Sequence, residues 1–266
     1  MRDSPRKIVP PPAARIRRPA GLPRAGRPAK SKAVIDALGL DIVSGRLRSG
    51  ALLPTETDLA RTLALSRPSL REALKALAQK GLVEARTRRG TLVCDRLRWD
   101  VLDADVLRWL AAAPPDRAFL MDLLDVRTIF EPAAASMAAA RATPEQILAI
   151  ENAFAAMAAS LPHDVEACCR HDLAFHELIT SATGNRLLIR FAAAIRTALL
   201  AAFRLSGNAR ESYESSLAEH HDVAVAIRRR SPEDAERAMR RLLAGTARDL
   251  APAYQKLPRG TRPRRR

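Results

Sequence analysis

Asp172 and His176 stand four residues apart in this 266-residue chain, and His220 follows in a later stretch of helical periodicity. Positions i and i+4 share one face of a helix, so Asp172 and His176 extend a stripe with Val165, Cys169 and Ile179, while His220 lines up with Leu217, Ala224 and Ile227. Carboxylate and imidazole groups that project inward from facing helices are the donors with which a bundle holds a divalent cation such as zinc, nickel or manganese. Without a metal, the same trio can hydrogen-bond a hydroxylated acid directly. A second pair, Arg127 and Glu131, continues the stripe of Leu120, Leu123 and Leu124. Charge on an apolar stripe needs partners. Either Arg127 receives a ligand carboxylate with Glu131 orienting it, or the two form an internal ion pair at i,i+4. Asn185 completes the candidate effector-binding set of Arg127, Glu131, Asp172, His176 and His220.

A different chemistry is written nearer the N-terminus. Arg67 and Arg71 lie one turn apart at the start of a helical stretch whose other face is Leu70, Ala73, Leu74 and Leu77. Each guanidinium can pair bidentately with guanine in a major groove. Thr55 and Ser69 suit phosphate positioning, and Arg88, Arg89 and Gly90 suit the edge of a minor groove.

The elements that position these groups follow from periodicity and punctuation. Val34, Ile35, Leu38, Ile42 and Val43 predict a first helix over residues 33–44. Thr55 caps a short helix from Glu56 to Leu63, and after Ala64 and Leu65, Ser66 caps a third with Pro68 in its first turn, where a missing amide hydrogen is harmless. Gly81 ends that helix. Leu82 to Glu84 and Thr91 to Val93 read as short strands around a basic tip, which is a wing. From residue 96 to about 254, helical stretches punctuated by Pro114, Pro115, Pro144, Pro162, Gly184, Gly207 and Pro232 predict an antiparallel bundle of six or seven helices. The expected fold class is mainly α, a winged helix-turn-helix over residues 32–95 followed by this all-helical bundle.

Composition bounds the function classes. Apolar residues make up 47% with only 4% aromatics, which favours alanine-rich helix packing over sheets. The net charge of +16 sits mostly in the ends: residues 1–32 carry ten Lys or Arg against one Asp, and residues 255–266 carry six against none. Residues 1–31, rich in Pro and Arg, are expected to be a disordered basic arm, and 255–266 a basic tail. Three cysteines, two of them adjacent, do not form a disulfide framework and point to a reducing cytoplasm. No apolar run reaches membrane-spanning length, and no secretory signal is legible.

The run from Leu53 to Val93, with LPTE, SRPSLREAL and RRGTLV in place, resembles the winged-helix domain of GntR-family regulators. Residues 96–254 resemble the FCD-like helical effector domain of that family's FadR-type subgroup, and Trp99 to Trp109 resembles its sugar-acid regulators. The resemblance implies a homodimeric, ligand-responsive repressor that binds double-stranded operator DNA and answers to a small carboxylate. It matches Arg67, Ser69, Arg71 and Gly90 to DNA contacts, while Thr57 stands where many relatives carry Arg. It also implies a divalent metal held by an Asp, a His four residues on, and two later His; Asp172, His176 and His220 match three. The fourth falls on Leu242, which cannot ligate, leaving water, an effector carboxylate, Cys169 or His221 to substitute. His163 and His171 read as surface or structural.

Two other classes compete. One is a metal-dependent hydrolase using the bundle Asp/His residues, for which the sequence offers no placed nucleophile and no phosphate-binding glycine loop. The other is a nonspecific DNA-compacting protein acting through its tails, which tail deletion would silence.

Overall fold

In the computed structural model, residues 27–114, 116–203 and 209–255 are described, and the chain forms two compact units that adjoin in sequence at Ala113 and Pro114.

In the first unit, α1 (Arg27–Val43), α2 (Glu56–Leu63) and α3 (Arg67–Gln79) precede an antiparallel hairpin of β1 (Val83–Arg86) and β2 (Gly90–Val93). Val34, Leu38 and Ile42 on α1, Leu59 and Leu63 on α2, and Leu70 and Leu77 on α3 bury almost completely against one another. Each such leucine or isoleucine stabilises the head by roughly 1.5–3 kcal/mol relative to exposure. Thr55 caps α2 by accepting from Asp58 N, and Ser66 caps α3 by accepting from Ser69 N. In the hairpin Val83 faces Val93 and Arg86 faces Gly90, and a single bridge from Leu52 to Leu92 adds a vestigial third strand. Gly81 is required twice over: its φ is +73°, and a Cβ there would meet the Arg98 carbonyl oxygen at 1.9 Å.

Two boundaries read from sequence move. The segment 27–31, assigned to the disordered arm, is already helical, because Pro28 sits in the first turn of α1, where its fixed φ suits a helix. Residues 96–113 were assigned to the second domain but belong with the first unit. A 3₁₀ turn (Arg96–Arg98) and α4 (Ala104–Ala112) bring Trp99, Val106 and Trp109 into the head's core. Gly39 makes room for this, since a side chain there would lie 2.5 Å from the Trp109 ring. Trp109 Nε1 donates to Asp36 at 3.0 Å, and Lys80 at the end of α3 pairs with Asp103 at 2.7 Å and Asp105 at 2.9 Å. The helix after the wing is thereby stapled to α1 and α3.

The second unit contains α5 (Arg117–Arg141), α6 (Pro144–Ser160), α7 (Val165–Ala182), α8 (Arg186–Phe203), α9 (Ala209–Arg228) and α10 (Pro232–Gln255). That is six helices among the described residues, the lower of the two numbers predicted. Helix α5 packs along α10 and α7, and α6 packs on α7 and α9. Ala134, Ala135, Ala138 and Ala139 of α5 are all fully buried, so small side chains let the helices approach closely. Thr143 and Gln146 form a reciprocal capping box on α6. Pro132 lies inside α5, where it cannot donate to the Thr128 carbonyl. The tail beyond Gln255, and all of the arm before Arg27, lie outside the described residues.

Candidate functional site

The face of α3 opposite its leucines presents Arg67, Arg71 and Lys75, all exposed. Arg71 Nε donates to Glu56 Oε2 at 2.9 Å, and Arg67 Nη2 donates to Thr57 Oγ1 at 3.4 Å. Both guanidiniums are therefore steadied by the first turn of α2. Thr57 serves as an acceptor. Thr55 and Ser69 prove to be committed locally: Thr55 Oγ1 donates to Asp58 Oδ2 at 2.7 Å, and the Ser66 and Ser69 hydroxyls share a hydrogen bond of 2.9 Å. The Ser69 backbone amide is taken up as well, donating to Ser66 Oγ at 3.3 Å. At the wing tip Arg88 (φ +62°), Arg89 and Gly90 (φ +90°) are exposed, with left-handed backbone at Arg88 and Gly90. An exposed basic helix face beside a basic wing can engage phosphate and base edges together.

The second unit gathers five of the six effector candidates. Arg127, Glu131, Asp172, His176 and His220 are all buried, on α5, α7 and α9. Arg127 Nε meets Glu131 Oε1 at 2.6 Å, so the internal i,i+4 pair exists. The same carboxylate reaches a neighbouring helix, with Glu131 Oε2 lying 2.8 Å from His176 Nδ1 as an ion pair. His176 Nε2 lies 3.6 Å from Asp172 Oδ1, and His220 Nε2 lies 2.9 Å from that same oxygen. His220 Nδ1 is in turn 2.7 Å from the Ser216 carbonyl oxygen. Asn185 is not brought to this cluster. Its Oδ1 accepts from Leu187 N and Leu188 N and caps α8.

Electrostatics favour the charged forms of Asp172, Glu131 and His176. Burial pushes the Asp172 carboxyl up, but the neighbouring His176 and His220 rings outweigh it and bring it well below the usual carboxylate range. For Glu131, burial is likewise outweighed by Arg127 and His176, which hold it at about 2. His176 is pulled down by burial and by Arg127, yet Glu131 and Asp172 raise it to about 9.

The donor set fits a divalent cation. One ligand atom from each of Asp172, His176 and His220 lies within 4.8 Å of the others, and Asp172 Oδ2 has no hydrogen-bond partner among the described residues. His220 Nδ1 lies against the Ser216 carbonyl oxygen, the arrangement by which metal-ligating histidines are oriented, while His176 Nδ1 faces the Glu131 carboxylate as a charge pair without hydrogen-bond geometry. The proposed substitutes for the fourth ligand do not join the cluster. Cys169 is buried with Met157, Leu173 and Tyr213; His221 is exposed and tilts against Phe154; Leu242 is packed in the apolar core. His163 is exposed and His171 half-buried.

Sequence reasoning missed the far wall. A cavity of about 30 Å³ is bounded by Arg127, Glu131, His176, Thr180, Ile195 and Arg196, and Arg196 pairs with Glu177 at 3.3 Å. Arg196 lies on α8, whose apolar composition masked it; the pairing of α7 with α8 is the only signal, and it is three-dimensional.

Comparison with known proteins is consistent along the chain. Residues 30–93 match the family described as bacterial regulatory proteins, gntR family, and residues 122–245 match the FCD domain. The galactonate operon transcriptional repressor of Escherichia coli (strain K12) is 33% identical over 222 residues, covering 83% of this chain and 96% of that protein. The putative L-lactate dehydrogenase operon regulatory protein of the same organism is 35% identical over 164 residues, 60% of this chain and 61% of that one. Among solved structures, Lar, which controls expression of the Listeria monocytogenes agr system, has the same fold, with a TM-score of 0.58 at 20% identity over 85% of this chain and 97% of that one.

Proposed function

The chain belongs to the GntR family of bacterial regulatory proteins, with an FCD domain behind its DNA-binding head, and from that premise we propose that it is a ligand-responsive repressor of a metabolic operon whose effector is a small carboxylate such as a sugar acid. Members of this family regulate transcription and are not enzymes, so the hydrolase alternative falls away.

One observation carries the effector assignment: the Arg127 guanidinium is buried beside the Asp172, His176 and His220 cluster on the wall of a cavity. A guanidinium offers a planar pair of donors to a carboxylate, while Asp172 and the two imidazoles can take the hydroxyl groups of a polyol acid. The likeness to a galactonate operon repressor over nearly its whole length supports the same class. Asp172, His176 and His220 would hold a divalent cation, zinc, nickel or manganese. When bound, such a cation supplies a Lewis-acidic centre for a carboxylate or hydroxyl oxygen. The cavity as it stands holds about one water, so an acid of six carbons enters only if its α8 wall, with Ile195 and Arg196, yields.

In the head, Arg67, Arg71, Arg88, Arg89, Ser69, Gly90 and the start of α2 at Thr55 meet operator DNA. One short recognition helix reads few base pairs, so a homodimer on two half-sites is the working form, acting in the cytoplasm. Among the described residues no helix is long and apolar enough to cross a membrane.

The test is a thermal-shift series with zinc and a panel of aldonates, D-galactonate included, followed by operator binding with and without any acid that stabilises. A ligand at a hundredfold its Kd adds about 2.7 kcal/mol to stability. Stabilisation by fatty acyl conjugates or amino acids in place of hydroxy acids would overturn the assignment.

A further inference from the structure

We propose that Glu131 is a positioning residue that couples anion capture at Arg127 to cation binding at His176. The inference rests on the reading above and adds to it a link between two sites that α5 and α7 carry separately.

A single carboxylate serves both partners. Its Oε1 takes Arg127 Nε at 2.6 Å, and its Oε2 lies 3.3 Å from Arg127 Nη2 and 2.8 Å from His176 Nδ1. With Nδ1 turned to Glu131, the His176 ring presents Nε2 toward Asp172 Oδ1, 3.6 Å away. Glu131 therefore sets its negative charge against the imidazole nitrogen that faces away from Asp172, the place that carboxylates take behind metal-ligating histidines, although the pair lacks hydrogen-bond geometry here. The same charge is partly neutralised by Arg127. An anion arriving at Arg127 competes for its donors, and to the extent that it does, the negative charge of Glu131 bears more fully on His176 and makes the ring a better donor. Linkage then requires the converse: a cation on the cluster strengthens the hold on the anion by the same factor. A simple internal strut predicts only a direct repulsion of the cation by Arg127, the same whether residue 131 is glutamate or glutamine.

The test uses zinc alone on the full chain, with affinities from competition against a chromophoric chelator. The proteins are wild type, Glu131→Gln, Arg127→Gln and the double variant, with helicity checked by circular dichroism. Glu131→Gln should weaken zinc binding by about 10- to 100-fold. Arg127→Gln should tighten it, and that gain should shrink by at least about threefold when residue 131 is glutamine. Glu131→Asp, which keeps the charge, should recover part of the affinity and serves also if Glu131→Gln folds poorly. In ¹⁵N spectra the His176 Nδ1–H signal should persist in Arg127→Gln and be lost in Glu131→Gln, a change that a merely structural role would not produce. Additive effects of the two substitutions, or unchanged zinc affinity in Glu131→Gln, would overturn the proposal while leaving the cation site standing. Absence of zinc binding by the wild type would remove the cation site and the proposal together.

Discussion

Arg71 is tethered to Glu56 by a 2.9 Å bond from its Nε, so the arginine proposed to read bases is held by the helix that precedes it. Using Nε for the tether leaves the two terminal amino groups for a bidentate base contact. Arg71→Ala should therefore reduce affinity for a selected operator duplex by about 1–3 kcal/mol, or roughly 5- to 150-fold, with little change in melting temperature. Fluorescence anisotropy beside a thermal melt separates readout from folding. A large drop in melting temperature would make Arg71 structural.

Removing Glu131 takes a 2.6 Å ion pair from a buried guanidinium. Glu131→Ala should destabilise the second unit by about 3–5 kcal/mol in urea, whereas Arg127→Met with Glu131→Leu together should be close to neutral. Equal losses in the single and double variants would mean that the pair is not the source of the cost.

Leu242 stands where the family resemblance calls for a fourth ligand, and it is buried in an apolar core. Leu242→His should lower the melting temperature in chelator and regain it, beyond the wild-type response, when zinc is added. No extra zinc response would dissolve the correspondence at this position.

Gly39 admits the Trp109 ring at a distance no side chain tolerates. Gly39→Ala should destabilise the head by about 1–3 kcal/mol through forced repacking, despite alanine's better helix propensity. A gain in stability would show that α4 can simply slide.

The Lys80 staple has a pH signature. Burial pulls Lys80 down, but its bonds to Asp103 and Asp105 outweigh this and raise it above 10.5; its contribution is complete below that value and is lost as pH climbs through the higher folded one. Asp105 is lowered by Arg108 and then Lys80, so its contribution is present above its ordinary 3.8 and is lost as pH falls through the lower folded value. Lys80→Met should thus cost stability across the neutral range and flatten the alkaline limb of the stability curve. An unchanged alkaline limb would acquit Lys80.

Periodicity and capping made the head legible nearly residue by residue, since Thr55, Ser66, Pro68 and Gly81 act locally. The inward stripe of α5 was legible for the same reason, and so were Asp172 and His176 at i,i+4. What escaped was contact between elements distant in sequence. No local signal says that Trp109 closes the first core, because that depends on a missing side chain at Gly39, 70 residues earlier. Nor can spacing reveal that Glu131 meets His176 across two helices. Asn185 was misplaced because a helix cap and a ligand contact call for the same side chain.

Pro132 follows Glu131 directly and leaves the Thr128 carbonyl without its usual helical donor. A proline inside a helix is a usual place for a bend, and here it follows directly on the residue that pairs with Arg127 and His176 within a helix of 25 residues. Its first residue, Arg117, comes only three after the junction at Pro114. From Glu131 back to Arg117 the helix runs about four turns, so a bend at the proline would swing the start of the second unit against the rest of its own bundle.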